Sequence, residues 1–312
     1  MQGLAAPLEL SEDKVSEYQE EAIHAMTYEE TLYGIPAVTE TYAMYYNTEI
    51  VEEPPETLSE ITALADDLTD RDNNEFGFLI EAANFYWSYP FFSGPGGYVF
   101  AQDEDGNYDT SDIGLNNEGA VEGAEQIQEW FMNGWIPTGL DDDVLDGLFT
   151  DGSVGVVVSG PWSLPGYRNA LGDNLAVASL PTTDEGESLN SFAGVKGWLV
   201  SNFIESDRQY WATDLALYMT SQESSEIYFE TAGELPARDD VIESDLIQED
   251  EFFAGFAQQV QHAEAMPNVP EMSQVWDPMS DALQFISQGE DPKEVLDEAV
   301  EQIEAEIQIQ GQ

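Results

Sequence analysis

The sequence predicts an α/β protein of two domains, and three observations carry that expectation. A chain of 312 residues with 42% hydrophobic content can bury a large core, and its length favours two domains over one. Strand-like apolar runs alternate with amphipathic helical segments, which implies mainly parallel sheets. No internal repeat and no low-complexity tether divides the chain, so the chain is expected to cross between domains more than once.

The elements follow in order. TYAMYYN, Thr41 to Asn47, is rich in β-formers, and PPETLSEITALADDLTD after it offers Thr57 and Glu60 as a capping box before Leu58, Ile61, Leu64, Ala65 and Leu68 at helical spacing. FGFLI, Phe76 to Ile80, predicts a strand, and NEGAVEGAEQIQEWFMNG a helix with Val121, Ala124, Ile127 and Phe131 on one face, stopped at Gly134. VGVVVSG predicts a buried strand ending at Gly160, with NLAVASLP and GWLVSN as further strands. Helices are expected through RQYWATDLALYMTSQESSEIYFE and through the C-terminal segment, where Val295, Leu296, Ala299, Ile303 and Ile307 align.

Charge sets the environment and excludes partners. The chain has 64 Asp plus Glu against seven Lys plus Arg, a formal net charge of -57. Self-repulsion on that scale destabilises a compact state unless salt screens it. The acids run from Glu9 to Glu306 and come with 12% aromatic residues, so the expectation is a globular protein adapted to very high salt rather than a disordered one. Nucleic acid and anionic lipid are both excluded, because so few scattered cations cannot build a basic patch. The absence of Cys removes disulfides, thiolate zinc sites and cysteine nucleophiles. MQGLAAPLELSEDK lacks a basic region followed by a hydrophobic core, and no run approaches membrane-spanning length, so a soluble chain without an export signal of its own is expected.

Four segments combine aromatics with Gly, Pro or Asn, as loops at strand ends do: Ala83 to Tyr98, Ser159 to Tyr167, Ala193 to Trp198 and Met266 to Trp276. Ligands of open α/β sheets bind beyond the carboxyl ends of strands, where such loops converge. Trp and Tyr faces suit the axial hydrogens of a pyranose and their polar edges suit its hydroxyls.

YGIPAVTETYAMYYNTEI, NFYWSYPFFSGPGGY, SGPW, GVKGW and MPNVPEMSQVW occur in an order and spacing that resembles the maltose/maltodextrin-binding proteins of ABC importers. The resemblance extends from Gly3 nearly to the C-terminus. It implies a two-lobed periplasmic-binding-protein fold with the sugar held between α/β lobes, the first lobe lacking its N-terminal strand, helix and strand. The implied lobes are residues 1–40 with 196–248, and 41–195 with 249–312, hinged near Thr39 to Tyr42, Ala193 to Gly197 and Gln248 to Glu251. By the same resemblance Glu40 accepts sugar hydroxyls, Tyr86, Trp162 and Trp276 stack on rings, and Met266 lines the cleft. Asn84 and Phe85 stand where the family often has Glu-Pro, Asp142 where a cleft tyrosine is expected, and Ser280 where some members place an arginine. These departures leave sugar binding in place and make the identity of the sugar an open matter. The implied partners are an oligosaccharide and a membrane permease, with the protein monomeric, cell-surface associated when full-length, and without cofactor or metal.

Lys196 sits by alignment on the second crossing, near the cleft floor. It is expected either to donate to sugar hydroxyls and neutralise Glu40, or to snorkel into solvent. Trp198 is weighed the same way, with core packing the alternative. Asp103 to Asp109 predicts a hairpin turn rather than a calcium loop, and Asp141 to Asp143 the start of a helix. His24 and His262 are isolated. Two rival functions are a glycoside hydrolase, for which Glu40 has no motif-defined partner, and a truncated remnant that binds nothing.

Overall fold

The structure, a computed structural model, describes residues 3–103 and 106–310. Along the chain, the principal elements are β1 (Gly34–Glu40), β2 (Ala43–Asn47), α1 (Leu58–Leu68), β3 (Phe76–Leu79), α2 (Phe85–Ser93), α3 (Glu118–Met132), α4 (Asp142–Thr150), β4 (Val154–Ser159), α5 (Leu164–Leu171), β5 (Leu175–Ala178), β6 (Ser191–Leu199), α6 (Ser206–Met219), α7 (Gln222–Ala232), α8 (Phe253–Val260), β7 (Ala263–Ala265), α9 (Trp276–Ser287) and α10 (Pro292–Gln310). They fall into two compact units: residues 1–41 with 193–268, and residues 42–192 with 269–312.

The first unit is built on a three-stranded sheet in the order β7-β6-β1. β1 and β6 run antiparallel, Gly194 opposite Glu40 and Leu199 opposite Gly34, with the register slipping between Lys196 and Gly197. Its core gathers Ala6, Leu8, Tyr18, Ile35, Val200 and Ala216. The helical stretch expected from Arg208 forms two helices, α6 and α7, because the Ser221 hydroxyl accepts from the Ser224 N–H and caps a new helix. One scarce cation is structural: buried Arg238 bonds Glu17 at 2.8 Å and Asp240 at 2.7 Å, and lies 5.5 Å above the Tyr18 ring. Residues 249–268, expected in the other lobe, cluster here. The Phe253 ring packs edge-on against Phe229 at 4.9 Å, β7 pairs with β6, and the Asn268 amide donates to the Thr27 carbonyl at 2.6 Å.

The second unit holds a four-stranded sheet in the order β3-β4-β2-β5. The expectation of mainly parallel pairing fails here. β2 runs antiparallel to both β4 and β5, and β3 with β4 is the parallel pair. The physical reason is the position of β2. β4 and β5 run in one direction, joined through α5, and β2 lies between them, so each finds an antiparallel neighbour.

Helix α1 begins as its sequence predicts, with Thr57 accepting from the Glu60 N–H at 3.3 Å. The Glu60 carboxylate reaches back one residue further than a capping box requires, to the Glu56 N–H at 2.7 Å. Helix α3 is capped by Asn117 and ends before Gly134, whose φ of +75° is the left-handed stop expected there. The turn expected at Asp103 to Asp109 is a hairpin between Ala101–Gln102 and Tyr108–Asp109, with Glu104 and Asp105 outside the described residues.

Candidate functional site

Helix α2 presents the densest aromatic group, although its segment carries the marks of a loop. Pro90 lies inside the helix and has no N–H for the Tyr86 carbonyl one turn back. The Tyr42 hydroxyl donates to that carbonyl instead, at 2.7 Å. The helix starts at Asn84, whose Oδ1 accepts from the Tyr86 N–H at 3.1 Å and whose Nδ2 donates to Glu81 at 3.0 Å. Both ends of the Asn84 amide therefore have partners within the protein.

Glu81 follows the carboxyl end of β3 and meets Asp142 at the start of α4. Burial raises both carboxyls above their ordinary range; Asp142 adds to the rise at Glu81, and Asp146 to that at Asp142. Each carboxyl interacts with the other and with the Trp87 side chain. Asp142 is exposed by surface area and Glu81 half-buried, so the pair sits at the edge of the protein with one face open.

Three rings meet around Trp87. Tyr86 lies 5.1 Å away, Tyr42 5.1 Å and Trp162 6.0 Å between centroids. Trp162 stands on the short turn after β4 and is 51% exposed, unusual for an indole packed on another indole. Trp276 opens α9 half-buried, with its ring edge-on to Phe85 at 6.0 Å and to Phe192 at 6.1 Å. Phe85 itself is 2% exposed and packs beneath Trp276 as core. The second unit thus gathers Tyr86, Trp162, Asn84 and Asp142 around Trp87, and Trp276 around Phe85 and Phe192.

The first unit contributes a separate group. The Lys196 ammonium bridges Glu40 and Glu234, the latter at 3.1 Å. Burial lowers the Lys196 pKa and its two carboxylate bonds reverse that, leaving it raised. Lys196 and exposed Trp198 line a groove of about 490 Å³ with Val38, Met219, Ser225 and Tyr228. Met266 is exposed just after β7. Among the described residues no cluster of His, Asp or Glu is arranged to hold a metal ion.

Sequence reasoning missed Glu81, Trp87 and Glu234. Glu81 had a usable signal, a carboxylate directly beyond the end of a predicted strand. Trp87 lay inside a quoted motif without being singled out, and Glu234 is brought to Lys196 only by the fold.

A family profile described as bacterial extracellular solute-binding protein matches residues 2–255. The chain belongs to that family. Among solute-binding proteins of known sequence, the galactooligosaccharide-binding protein of Bacillus subtilis is 35% identical over 98% of this chain and 73% of its own length. The maltodextrin-binding protein MdxE of the same organism is 30% identical over 86% of this chain and 65% of its own length. The extracellular solute-binding protein from Staphylococcus aureus in complex with maltose superposes with a TM-score of 0.91 at 40% identity, covering 99% of this chain and 80% of that one. A cyclo/maltodextrin-binding protein complexed with maltotetraose gives 0.93 at 35% identity, over 98% of this chain and 79% of that one. The mixed α/β fold is that of these two-lobed solute-binding proteins.

Proposed function

We propose that the protein is the substrate-binding component of a carbohydrate ABC importer and that it captures an oligosaccharide of the maltodextrin kind by ring stacking and hydroxyl hydrogen bonds. The observation that supports this most directly is Trp162, half exposed yet fixed against Trp87, which the Tyr86 ring meets edge-on. An exposed indole backed by aromatic packing offers a flat, rigid face to a pyranose ring at little entropic cost. In the same unit Tyr86 and Trp276 are proposed as further stacking surfaces, and Asp142 as a hydroxyl partner together with Glu81; Asn84 acts by orienting Glu81. In the first unit Glu40 is proposed to accept from sugar hydroxyls while Lys196 holds it, with Trp198 and Met266 offering apolar surface. The proposed partners are the sugar and a membrane permease, and the proposed working form is a monomer, extracellular and cell-surface associated, adapted to high salt.

Capture without bond chemistry suits the carboxyls better than hydrolysis does. Glycosidase carboxylates stand about 5–9.5 Å apart so that a nucleophile or water fits between them. Glu81 and Asp142 lie close enough to interact with each other, and the Glu40 carboxylate is tied to Lys196. Calorimetric titration of the full chain in molar KCl with maltotetraose, and in parallel with a β-linked galactotetraose, tests the proposal. Binding of either sugar is expected, weakened about tenfold or more by Trp162→Ala or Trp276→Ala, a loss of ~1.4 kcal/mol or greater. Heat from neither sugar would overturn the function, and release of shorter sugars would favour the hydrolase instead.

A further inference from the structure

Glycine at position 160 is not demanded by its backbone. Its φ of -90° and ψ of 173° lie in the extended region that any residue adopts. The demand comes from Trp162: a Cβ at position 160 would overlap the six-membered ring of that indole. The ring therefore lies folded back over the Gly160 backbone, one side against it and the Trp87 ring tilted at 51° nearby, and the residue as a whole stays half exposed.

The turn that carries this ring is also held from beneath. The Tyr45 hydroxyl, on β2 and fully buried, donates to the Gly160 carbonyl at 2.9 Å. Ser159 and Ser163 share a hydroxyl bond of 2.9 Å across the same turn. The Tyr167 hydroxyl, one turn into α5, is anchored on the Asp146 carboxylate, and its ring packs edge-on against Tyr45 at 4.9 Å. The Tyr45, Ser159 and Ser163 hydroxyls are spent on the turn, and Tyr167 braces Tyr45 from the side.

We propose that Gly160 and Tyr45 are positioning residues for the Trp162 platform: the missing side chain of one and the hydroxyl of the other fix the indole in its ring-receiving orientation before any ligand arrives. Pre-organisation of this kind acts on affinity, because an indole free to rotate must be ordered at the moment of binding. The inference rests on Trp162 being a ligand-stacking surface, as proposed above.

Gly160→Ala is a clean probe, since its backbone conformation suits alanine and only the indole has to move. Two close indoles at a fixed tilt give an exciton couplet in circular dichroism, a signature that a purely structural role would leave in place. The couplet of Trp87 and Trp162 is expected in the wild type, absent in Trp162→Ala, and changed in sign or strongly reduced in Gly160→Ala. Tyr45→Phe is expected to weaken it partially. Calorimetry with maltotetraose on the full chain in molar KCl is expected to show affinity falling about three- to tenfold in Gly160→Ala and in Tyr45→Phe, against a larger loss in Trp162→Ala.

An unchanged couplet together with unchanged affinity in Gly160→Ala would overturn the positioning role. A couplet altered by Gly160→Ala, with Trp162→Ala binding like the wild type, would keep the geometric half of the inference and overturn Trp162 as a platform. Should Tyr45→Phe fold poorly, Gly160→Ala alone decides between these outcomes.

Discussion

Lys196 shows what a scarce cation does in this chain. It links Glu40 on β1 to Glu234 in the segment after α7, so two carboxylates share one ammonium. Its raised pKa means that the stabilisation is complete below the ordinary lysine value and is lost as pH rises through the raised one. Lys196→Met is expected to cost under about 1 kcal/mol at neutral pH, since the group is half exposed, and the cost should shrink as KCl is added. Urea denaturation at two salt concentrations measures it. Glu81 and Asp142 give a pH dependence of the same direction for the opposite reason, since the fold disfavours their charged forms. Both are harder to ionise in the fold than in the unfolded chain, so stability falls as pH climbs from the ordinary carboxylate value through the raised one. Glu81→Gln is therefore expected to match the wild type at acid pH and to exceed it at neutral pH by up to about 0.5 kcal/mol, after allowing for solvent screening. Parallel denaturation curves at the two pH values give the difference, and a larger gain at acid pH would reverse the assignment.

At the scale of elements, glycines of the same chemical type have opposite meanings. Gly123 on α3 faces α2 so closely that a Cβ would overlap the Phe91 carbonyl oxygen, and Gly119 one turn earlier meets the Pro95 carbonyl in the same way. A helix can approach another backbone this tightly only where side chains are absent. Gly123→Ala is expected to destabilise by about 1–3 kcal/mol through overpacking. Gly147, inside α4, has open space where its Cβ would stand. Gly147→Ala is expected to stabilise by about 0.5–1 kcal/mol by reducing the freedom of the unfolded chain. The two denaturation midpoints should move in opposite directions. Helices α1, α3 and α10 were legible because their apolar residues recur at helical spacing. Helix α2 was not, since FYWSYPFF is apolar on every face and holds a proline; buried surroundings and the Tyr42 hydroxyl make it a helix.

For the whole molecule, charge and exposed apolar surface set the conditions of folding. With 64 acids against seven Lys plus Arg, few carboxylates can be paired, and the remainder repel unless counter-ions screen them. The midpoint of thermal unfolding is expected to rise steeply from dilute buffer to molar KCl. The first unit is the weaker of the two in its packing, because β6 and α6 expose Trp198, Leu199, Trp211, Leu215 and Tyr218. Scanning calorimetry in KCl is expected to show the first unit melting before the second, and one sharp transition would mean that both share a single cooperative fold.

The sequence by itself determined the α/β class, the helices with a clear period, the acidic composition and the ordered motifs that place the chain among solute-binding proteins. Those properties are local or additive, written in residue type and spacing. Tertiary structure alone decided that β2 pairs antiparallel on both sides, that residues 249–268 join the first unit, that Glu81 meets Asp142, and that Tyr42 and Tyr45 hold the carbonyls of Tyr86 and Gly160. Each depends on contacts between residues far apart in the chain, and no periodicity within a segment records which distant partner will satisfy its hydrogen bonds or cover its rings.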